Sequence, residues 1–296
     1  MDCVIQGNIR NYGTGEVRFE APQITPESTA TKPSEVYKPG TTLDRTLEYG
    51  GKTVPIYRDR PLNVFSDVDF IWTGEENENQ RRLEYLGGEF RTRYGIDVSS
   101  FQGEIDWDAV ADDNIDFAMV RVGFRGTGTG SLNTDKYYEQ NIRGAMRAGL
   151  ETGVYFFAQA VTVEEAIEEA DYVISLLDGL DINGPVAYDW EMHDSTYRVY
   201  GTSPEMATAC AVAFCERIKD AGYTPMVYGG TYVTYMKYDQ GALADYLSWY
   251  PEYKSEKSEK LCPTLVYHMD YWQFSSTRAV AGINGRVDMN IQFIRR

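Results

Sequence analysis

The sequence predicts an α/β fold, a small TIM-like β/α barrel with an N-terminal extension. Three observations predict it. From Tyr94 onward, short apolar runs of strand character alternate with segments of helical periodicity. Seven or eight such runs fall within roughly 200 residues, a spacing suited to a parallel or mostly parallel barrel. Carboxylates recur at the ends of these runs, where a barrel of this kind gathers its functional side chains.

Taken in order, residues 1–42 read as an extension. The alternating stretch Cys3–Ile9 suits a short strand, and residues 21–42, rich in Pro, Thr and Ser, suit a linker or extended arm. Residues 43–93 form a lead-in with strand-like pieces at Thr53–Tyr57 and Val64–Trp72, suggesting a hairpin of unassigned role. Residues 94–296 carry the barrel pattern. Tyr94–Val98 is a strand, Trp107–Ala111 a short helix and Phe117–Val122 a buried strand. Lys136–Ala148 has Tyr138, Ile142, Ala145 and Met146 at helical spacing. Gly153–Phe157 is again a strand. Thr162-Val-Glu-Glu165 has the form of a capping box, opening a helix whose apolar face carries Ala166, Ala170, Val173 and Leu177. Pro185–Glu191 is a strand, and Ser203-Pro204 starts a helix that ends near Ala221, just before Gly222. Pro225–Tyr228, Leu247–Tyr250, Tyr267–Gln273 and Arg286–Met289 complete the strands.

Composition narrows the function. Hydrophobic residues make up 43% of the 296, enough for a sizeable core. The net charge of −17 repels phosphate backbones and anionic lipid, so neither nucleic acid nor a charged membrane surface is an expected partner. No apolar run approaches the ~20 residues of a membrane-spanning helix. The N-terminus lacks a charged region followed by an apolar one, and no lipobox precedes Cys3. The four cysteines do not suggest a disulfide framework. Cys210 and Cys215 fall on one helix, five residues apart, beyond bridging distance at ~1.5 Å rise per residue. Cys210 shares a helix face with Met206, Phe214 and Ile218, as a buried thiol would.

The chemistry concentrates in acids. Asp97 ends the first barrel strand, Asp189 and Glu191 end the strand beginning at Pro185, and Asp270 and Asp288 fall in the last two. On a strand Asp189 and Glu191 point to one side and Trp190 to the other. Two carboxyl groups on one face of a low-dielectric cleft cannot both ionise freely, so one is pushed toward its protonated form. Glycosidic cleavage needs that: a protonated carboxyl for the leaving oxygen and negative charge beside the oxocarbenium-like centre. Spacing alone leaves a solvated strand end open as the alternative, although the apolar Val186-Ala-Tyr188 places the pair on the rim of a core.

Rival chemistries lack their residues. Only His193 and His268 are present, which excludes a His-Glu-x-x-His zinc site. There is no Gly-x-Ser-x-Gly elbow and no Walker loop. Gly126-Thr-Gly-Thr-Gly130 reads as a flexible loop and His193 as a surface-loop residue. No metal and no cofactor is expected. Tyrosines number 23 and tryptophans 5, and Tyr155, Tyr188, Tyr228, Trp249, Tyr253 and Trp272 fall at strand ends. Aromatic faces stack on the apolar faces of sugar rings, so a cleft lined this way suits a polysaccharide, with about half of these rings left for the core.

In this frame Tyr94-Gly-Ile-Asp-Val-Ser-Ser-Phe-Gln-Gly-Glu-Ile-Asp-Trp107 resembles the opening signature of glycoside hydrolase family 25, the lysozymes of bacteria, phages and fungi. The likeness continues in order through Phe117-Ala-Met-Val-Arg-Val-Gly123, Ala148-Gly-Leu150, Gly153-Val-Tyr-Phe-Phe157 and Pro185-Val-Ala-Tyr-Asp-Trp-Glu191. It ends with Tyr271-Trp-Gln-Phe-Ser-Ser276 and Gly282-Ile-Asn-Gly-Arg-Val-Asp-Met-Asn290. Two positions depart from the family pattern: Phe156 stands where histidine is frequent, and Pro251 stands where alanine is usual.

The resemblance implies an irregular β/α barrel that hydrolyses the β-1,4 bond between N-acetylmuramic acid and N-acetylglucosamine in bacterial peptidoglycan. Glu191 would protonate the leaving oxygen, Asp189 would assist the substrate's 2-acetamido group, and the outcome would be net retention. Asp97 and Asp288 would complete the acidic floor. Tyr155, Tyr188, Tyr228, Trp249, Tyr253, Gln273 and Arg121 would contact substrate. The glycan strand is then the expected partner of a monomer acting extracellularly or at the cell wall, with its targeting segment outside these residues. A catalytically silent wall-binding protein, or a glycosidase acting on chitin, are the alternatives.

Overall fold

The structure, a computed structural model, describes residues 10–12, 16–18, 31–74 and 81–296. The expected strand at Cys3–Ile9 and much of the arm at 21–42 lie outside the described residues. The backbone of β1 (Arg10–Tyr12) pairs antiparallel with β2 (Glu16–Arg18). A single-turn helix, α1 (Pro33–Val36), follows. The lead-in holds two hairpins, β3 (Leu43–Tyr49) with β4 (Lys52–Tyr57), and β5 (Phe70–Thr73) with β6 (Arg82–Tyr85). The strand expected over Val64–Trp72 is only half realised. Ser66 and Asp69 cap one another reciprocally and wind Asp67–Asp69 into a 3-10 turn.

Eight strands close a barrel. β7 (Phe90–Val98) pairs in parallel with β8 (Phe117–Arg125), to which a short β9 (Leu132–Thr134) adds antiparallel. The parallel ring continues through β10 (Glu151–Ala158), β11 (Val186–Trp190), β12 (Pro225–Tyr228), β13 (Leu247–Pro251) and β14 (Tyr271–Arg278). β15 (Val287–Arg295) runs antiparallel to both β14 and β7 and closes the ring. Helices α2 (Trp107–Asp112), α3 (Tyr138–Arg147), α4 (Val163–Leu176), α5 (Pro204–Asp220) and α6 (Thr231–Met236) follow β7, β9, β10, β11 and β12. No helix separates the last three strands, which makes the barrel irregular.

Period-2 alternation sorts the strand residues into two cores. Phe117, Met119, Ala187, Met226, Tyr228, Trp249 and Tyr271 fill the barrel interior. Their neighbours, among them Val120, Tyr188, Trp190, Val227 and Trp272, face outward into the layer shared with the helices and the lead-in. The capping signals behave as expected at α5, where Ser203 Oγ accepts from Met206 N at 3.2 Å and Gly222 takes φ 92° after the helix. At α4, Thr162 Oγ1 accepts from Glu165 N at 3.2 Å, but the Glu165 carboxylate reaches past the cap to Val161 N at 2.8 Å. The box is therefore only half closed.

The lead-in packs on the barrel. Ile56, Phe70, Leu83 and Phe90 belong to the core that the helices cover. The Arg60 side chain, 4% exposed, enters below β13 and donates to Gln240 Oε1 at 3.1 Å and to the carbonyls of Leu243 at 3.3 Å and Tyr246 at 3.2 Å. This docking moves one strand. The run expected as Tyr267–Gln273 starts only at Tyr271, because Val266 O and His268 N bond to Asn63 N and Pro61 O of the lead-in. Strand β7 likewise begins at Phe90, so it spans the junction expected at Tyr94.

Candidate active site

Along β8, β11 and β14 the inward positions change from apolar at the N-terminal end to polar at the C-terminal end. On β8 the series is Phe117, Met119, Arg121; on β11 it is Ala187, Asp189, then Glu191 just beyond; on β14 it is Tyr271, Gln273. Asp97 takes the same place on β7. Asp288 reaches this mouth by the opposite route. It lies near the start of β15, but because that strand is antiparallel its start lies beside the end of β7, with Asp288 opposite Asp97. The four acids thus border one cavity of about 330 Å³, together with Ser99, Phe101, Gln102, Arg121, Tyr155, Phe157, His193, Tyr228, Trp249, Tyr253 and Gln273.

Asp97 is the fixed floor of this cavity. Its Oδ2 accepts from Gln273 Nε2 at 2.9 Å and from Asn290 Nδ2 at 2.8 Å. Both amides are held in turn. Gln273 Oε1 accepts from the hydroxyls of Tyr228 at 3.2 Å and Tyr253 at 3.1 Å, and Asn290 Oδ1 accepts from Trp249 Nε1 at 2.8 Å. The rings stay locked by edge-on packing, Tyr228 on Trp249 at 4.8 Å between centroids and Tyr155 on Trp249 at 5.8 Å. Burial pushes the Asp97 carboxyl up to about 6, against the two amide bonds and with the charge of Glu191.

Asp189 is 5% exposed, and burial, Glu191 and Asp97 hold its carboxyl far above the usual carboxylate range. Glu191 opens further to the cleft, its side chain 27% exposed, and burial raises it while His193 and Asp189 pull the other way. Each carboxyl acts on the other, raising Asp189 and lowering Glu191, so Asp189 is the member of the pair that holds a proton more tightly. Asp288 rises to about 8 through burial, Asp97 and Glu191. Arg121 brings positive charge to the wall but is held by Asp135, at 3.0 Å from Nε and 2.8 Å from Nη2, and lies between the rings of Phe101 and Phe124.

Of the sequence-expected residues, Asp97, Arg121, Tyr155, Asp189, Glu191, Tyr228, Trp249, Tyr253, Gln273 and Asp288 meet at this mouth. Tyr188 does not. It sits between inward-facing Ala187 and Asp189, so the pleat turns it outward onto Phe214 of α5 at 4.9 Å, fully buried. Trp272 is turned outward for the same reason, against Phe70. Asp270 precedes β14, at the opposite end of the barrel, where its Oδ2 accepts from Ser248 N at 2.8 Å. His193 borders the cleft despite its exposure, Nε2 lying 3.4 Å from Glu191 Oε2. Phe156, the departure from the family pattern, faces away from the cleft onto Tyr172. Asn290 went unnoticed in the sequence, although it lies two residues after Asp288 and alternation gives both one face.

A second cavity, of about 430 Å³, lies between the β3–β4 hairpin, the start of α5 and the end of α6. It is larger, and its two acids are engaged locally: Asp239 binds the N–H groups of Gly40, Gly241 and Ala242, and Glu205 is held below the usual carboxylate range by its own N–H and by Ser203. The sequence-expected acids meet at the barrel mouth and not here.

An acid-floored, aromatic-walled cleft at the mouth of an irregular β/α barrel defines a glycosidase-type site. The description "Glycosyl hydrolases family 25" matches residues 96–283, and the chain belongs to that family. It is similar to the autolytic lysozyme of Clostridium acetobutylicum, 25% identical over 197 residues, covering 66% of this chain and 54% of that protein. It is also similar to lysozyme M1 of Streptomyces globisporus, 27% identical over 201 residues and 66% of each chain. The chain therefore spans between about half and two thirds of these curated relatives. The crystal structure of the bacterial lysozyme from Streptomyces coelicolor superposes with a TM-score of 0.54 at 26% identity, covering 67% of this chain and 90% of that one.

Proposed function

We propose that this cleft hydrolyses bacterial peptidoglycan, cutting the β-1,4 bond between N-acetylmuramic acid and N-acetylglucosamine. The observation that carries the reading is the placement of Asp189 and Glu191 on one face of β11, both lining one aromatic cleft with Asp97 and Asp288. The relatives' names, autolytic lysozyme and lysozyme M1, point to the same substrate. As the glycan covers the cleft it strips water from Glu191, the more exposed of the pair, and raises its proton affinity toward that of Asp189. The proton moves from Asp189 to Glu191 and from there to the leaving glycosidic oxygen. Asp189, now a carboxylate, accepts the N–H of the 2-acetamido group and steadies positive charge as the acetamido oxygen attacks the anomeric carbon. Water then opens the cyclic intermediate with Glu191 as base, and the configuration is retained. Asp97 and Asp288 hold hydroxyls and tune the pair. The aromatic wall and Arg121 hold the strand. A monomer working outside the cell or in the wall fits this substrate.

The test is clearing of purified cell walls, with mass spectrometry of the products. Muramic acid at the new reducing ends is expected, with clearing lost by several orders of magnitude in Glu191→Gln. Products ending in N-acetylglucosamine, or an unimpaired Glu191→Gln enzyme, would overturn the proposal.

A further inference from the structure

β11 ends at Trp190, so the peptide carbonyl of Glu191 has no strand ladder to hold it. A side chain does so instead. Gln159, the first residue beyond β10, donates from Nε2 to Glu191 O at 2.8 Å. Gln159 is itself fully buried and gripped at both of its backbone polar groups. Its N–H donates to Glu169 Oε1 at 3.0 Å, and its carbonyl accepts from Arg198 Nη1 at 2.8 Å. Glu169 lies on α4, also fully buried, and the same Oε1 accepts from Arg125 Nε at 2.7 Å at the end of β8. Arg125 directs three further donors to Gly130 O at 2.8 Å, Glu165 O at 3.0 Å and Glu168 Oε2 at 2.7 Å. A chain of hydrogen bonds therefore runs from β8 through α4 to β10 and on to the residue that carries the acid. None of its members behind Glu191 lines the cleft.

Placing a buried carboxylate here is costly, and a hydrophobic residue would satisfy packing alone more cheaply. Glu169 Oε2 and Gln159 Oε1 even lack partners among the described residues. What the pair supplies is direction: one defined position for the Glu191 peptide, and hence for a side chain that must meet both Asp189 and the glycosidic oxygen.

We propose that Gln159 and Glu169 are positioning residues for catalysis, a bracket that sets the aim of Glu191 from behind the cleft. The inference rests on the reading of Glu191 as the acid. Misplacing a reacting group by about 1 Å costs on the order of 100-fold in rate without loosening the substrate.

The test compares kcat and KM on soluble peptidoglycan glycan strands, by release of reducing ends, with Glu191→Gln as reference. Gln159→Met keeps the volume and removes the donor. It is expected to lower kcat by 10- to 100-fold with KM within about twofold and the melting temperature little changed. Glu169→Leu should behave alike, and Glu169→Gln, which keeps an acceptor for the Gln159 N–H, should recover at least tenfold of that loss. A Gln159→Met enzyme with wild-type kcat overturns the proposal, and so does one whose kcat, KM and melting temperature worsen together. If Gln159→Met does not fold, Gln159→Asn reads the same contact with its amide withdrawn by one methylene, and wild-type kcat there is equally fatal. If Glu191→Gln itself stays active, the assignment of the acid fails, a result separable from failure of the bracket alone.

Discussion

At the scale of single residues, the site depends on how burial divides protons among four acids. Asp189 is the deeper member of its pair, and in the proposed mechanism it changes from proton store to carboxylate within one turnover. Asp189→Asn supports neither state: it cannot relay the proton and offers no charge to the cationic centre. Its kcat is expected to fall by about 100- to 1,000-fold, measured by reducing-end release, and a fall of less than tenfold would contradict the substrate-assisted scheme. In the same proposal Asp288 acts through its charge. It is raised to about 8 by burial, by Asp97 and by Glu191, and the same repulsion raises those partners when Asp288 ionises. Asp288→Asn removes that repulsion, so the alkaline limb of the kcat/KM profile should move to lower pH. A limb that stays in place would separate Asp288 from the proton-sharing cluster.

At the scale of elements, direction decides what each strand contributes. β15 delivers Asp288 and Asn290 to the mouth only because it runs antiparallel to its neighbours. The lead-in contributes at the other end of the barrel, through Arg60. Replacing it with methionine leaves Gln240 Oε1 and the carbonyls of Leu243 and Tyr246 without that donor. Arg60→Met should cost about 2–4 kcal/mol and lower the melting temperature by roughly 3–6 °C. Because Arg60 does not line the cleft, kcat at moderate temperature should not change. Thermal unfolding and a rate assay on one preparation check both halves, and a loss of kcat with unchanged stability would place the lead-in in the chemistry.

At the scale of the whole molecule, the buried acids set how stability follows pH. Glu169 is raised from 4.5 to about 7, chiefly by burial, while Asp97 rises to about 6 and Asp288 to about 8. The unfolded chain releases these protons near pH 4, whereas the folded chain keeps them until pH 6–8. Between those limits the native state binds more protons, so stability falls as pH rises. Glu169 alone is worth on the order of 3 kcal/mol across its window. Repulsion within a chain of net charge −17 acts in the same sense. Denaturant unfolding should therefore show greatest stability near pH 5 and a decline toward pH 8. A stability that climbs over that interval would mean that the cluster is ionised and paired in the native state.

Local chemistry in the sequence determined the barrel, its alternation of strands and helices, and the facing of Asp189 with Glu191, because side-chain period and apolar runs are properties of neighbouring residues. It also held the signal for Asn290 and against Tyr188, since both follow from the same two-residue period. What only the tertiary structure decided depends on partners distant in the chain. The lead-in captures Val266 and His268 and so delays β14, stranding Asp270 outside it. The reversal of β15 brings residue 288 beside residue 97, and α4 sends Glu169 behind Glu191. No local pattern encodes those meetings, because each is fixed by the closure of the barrel as a whole.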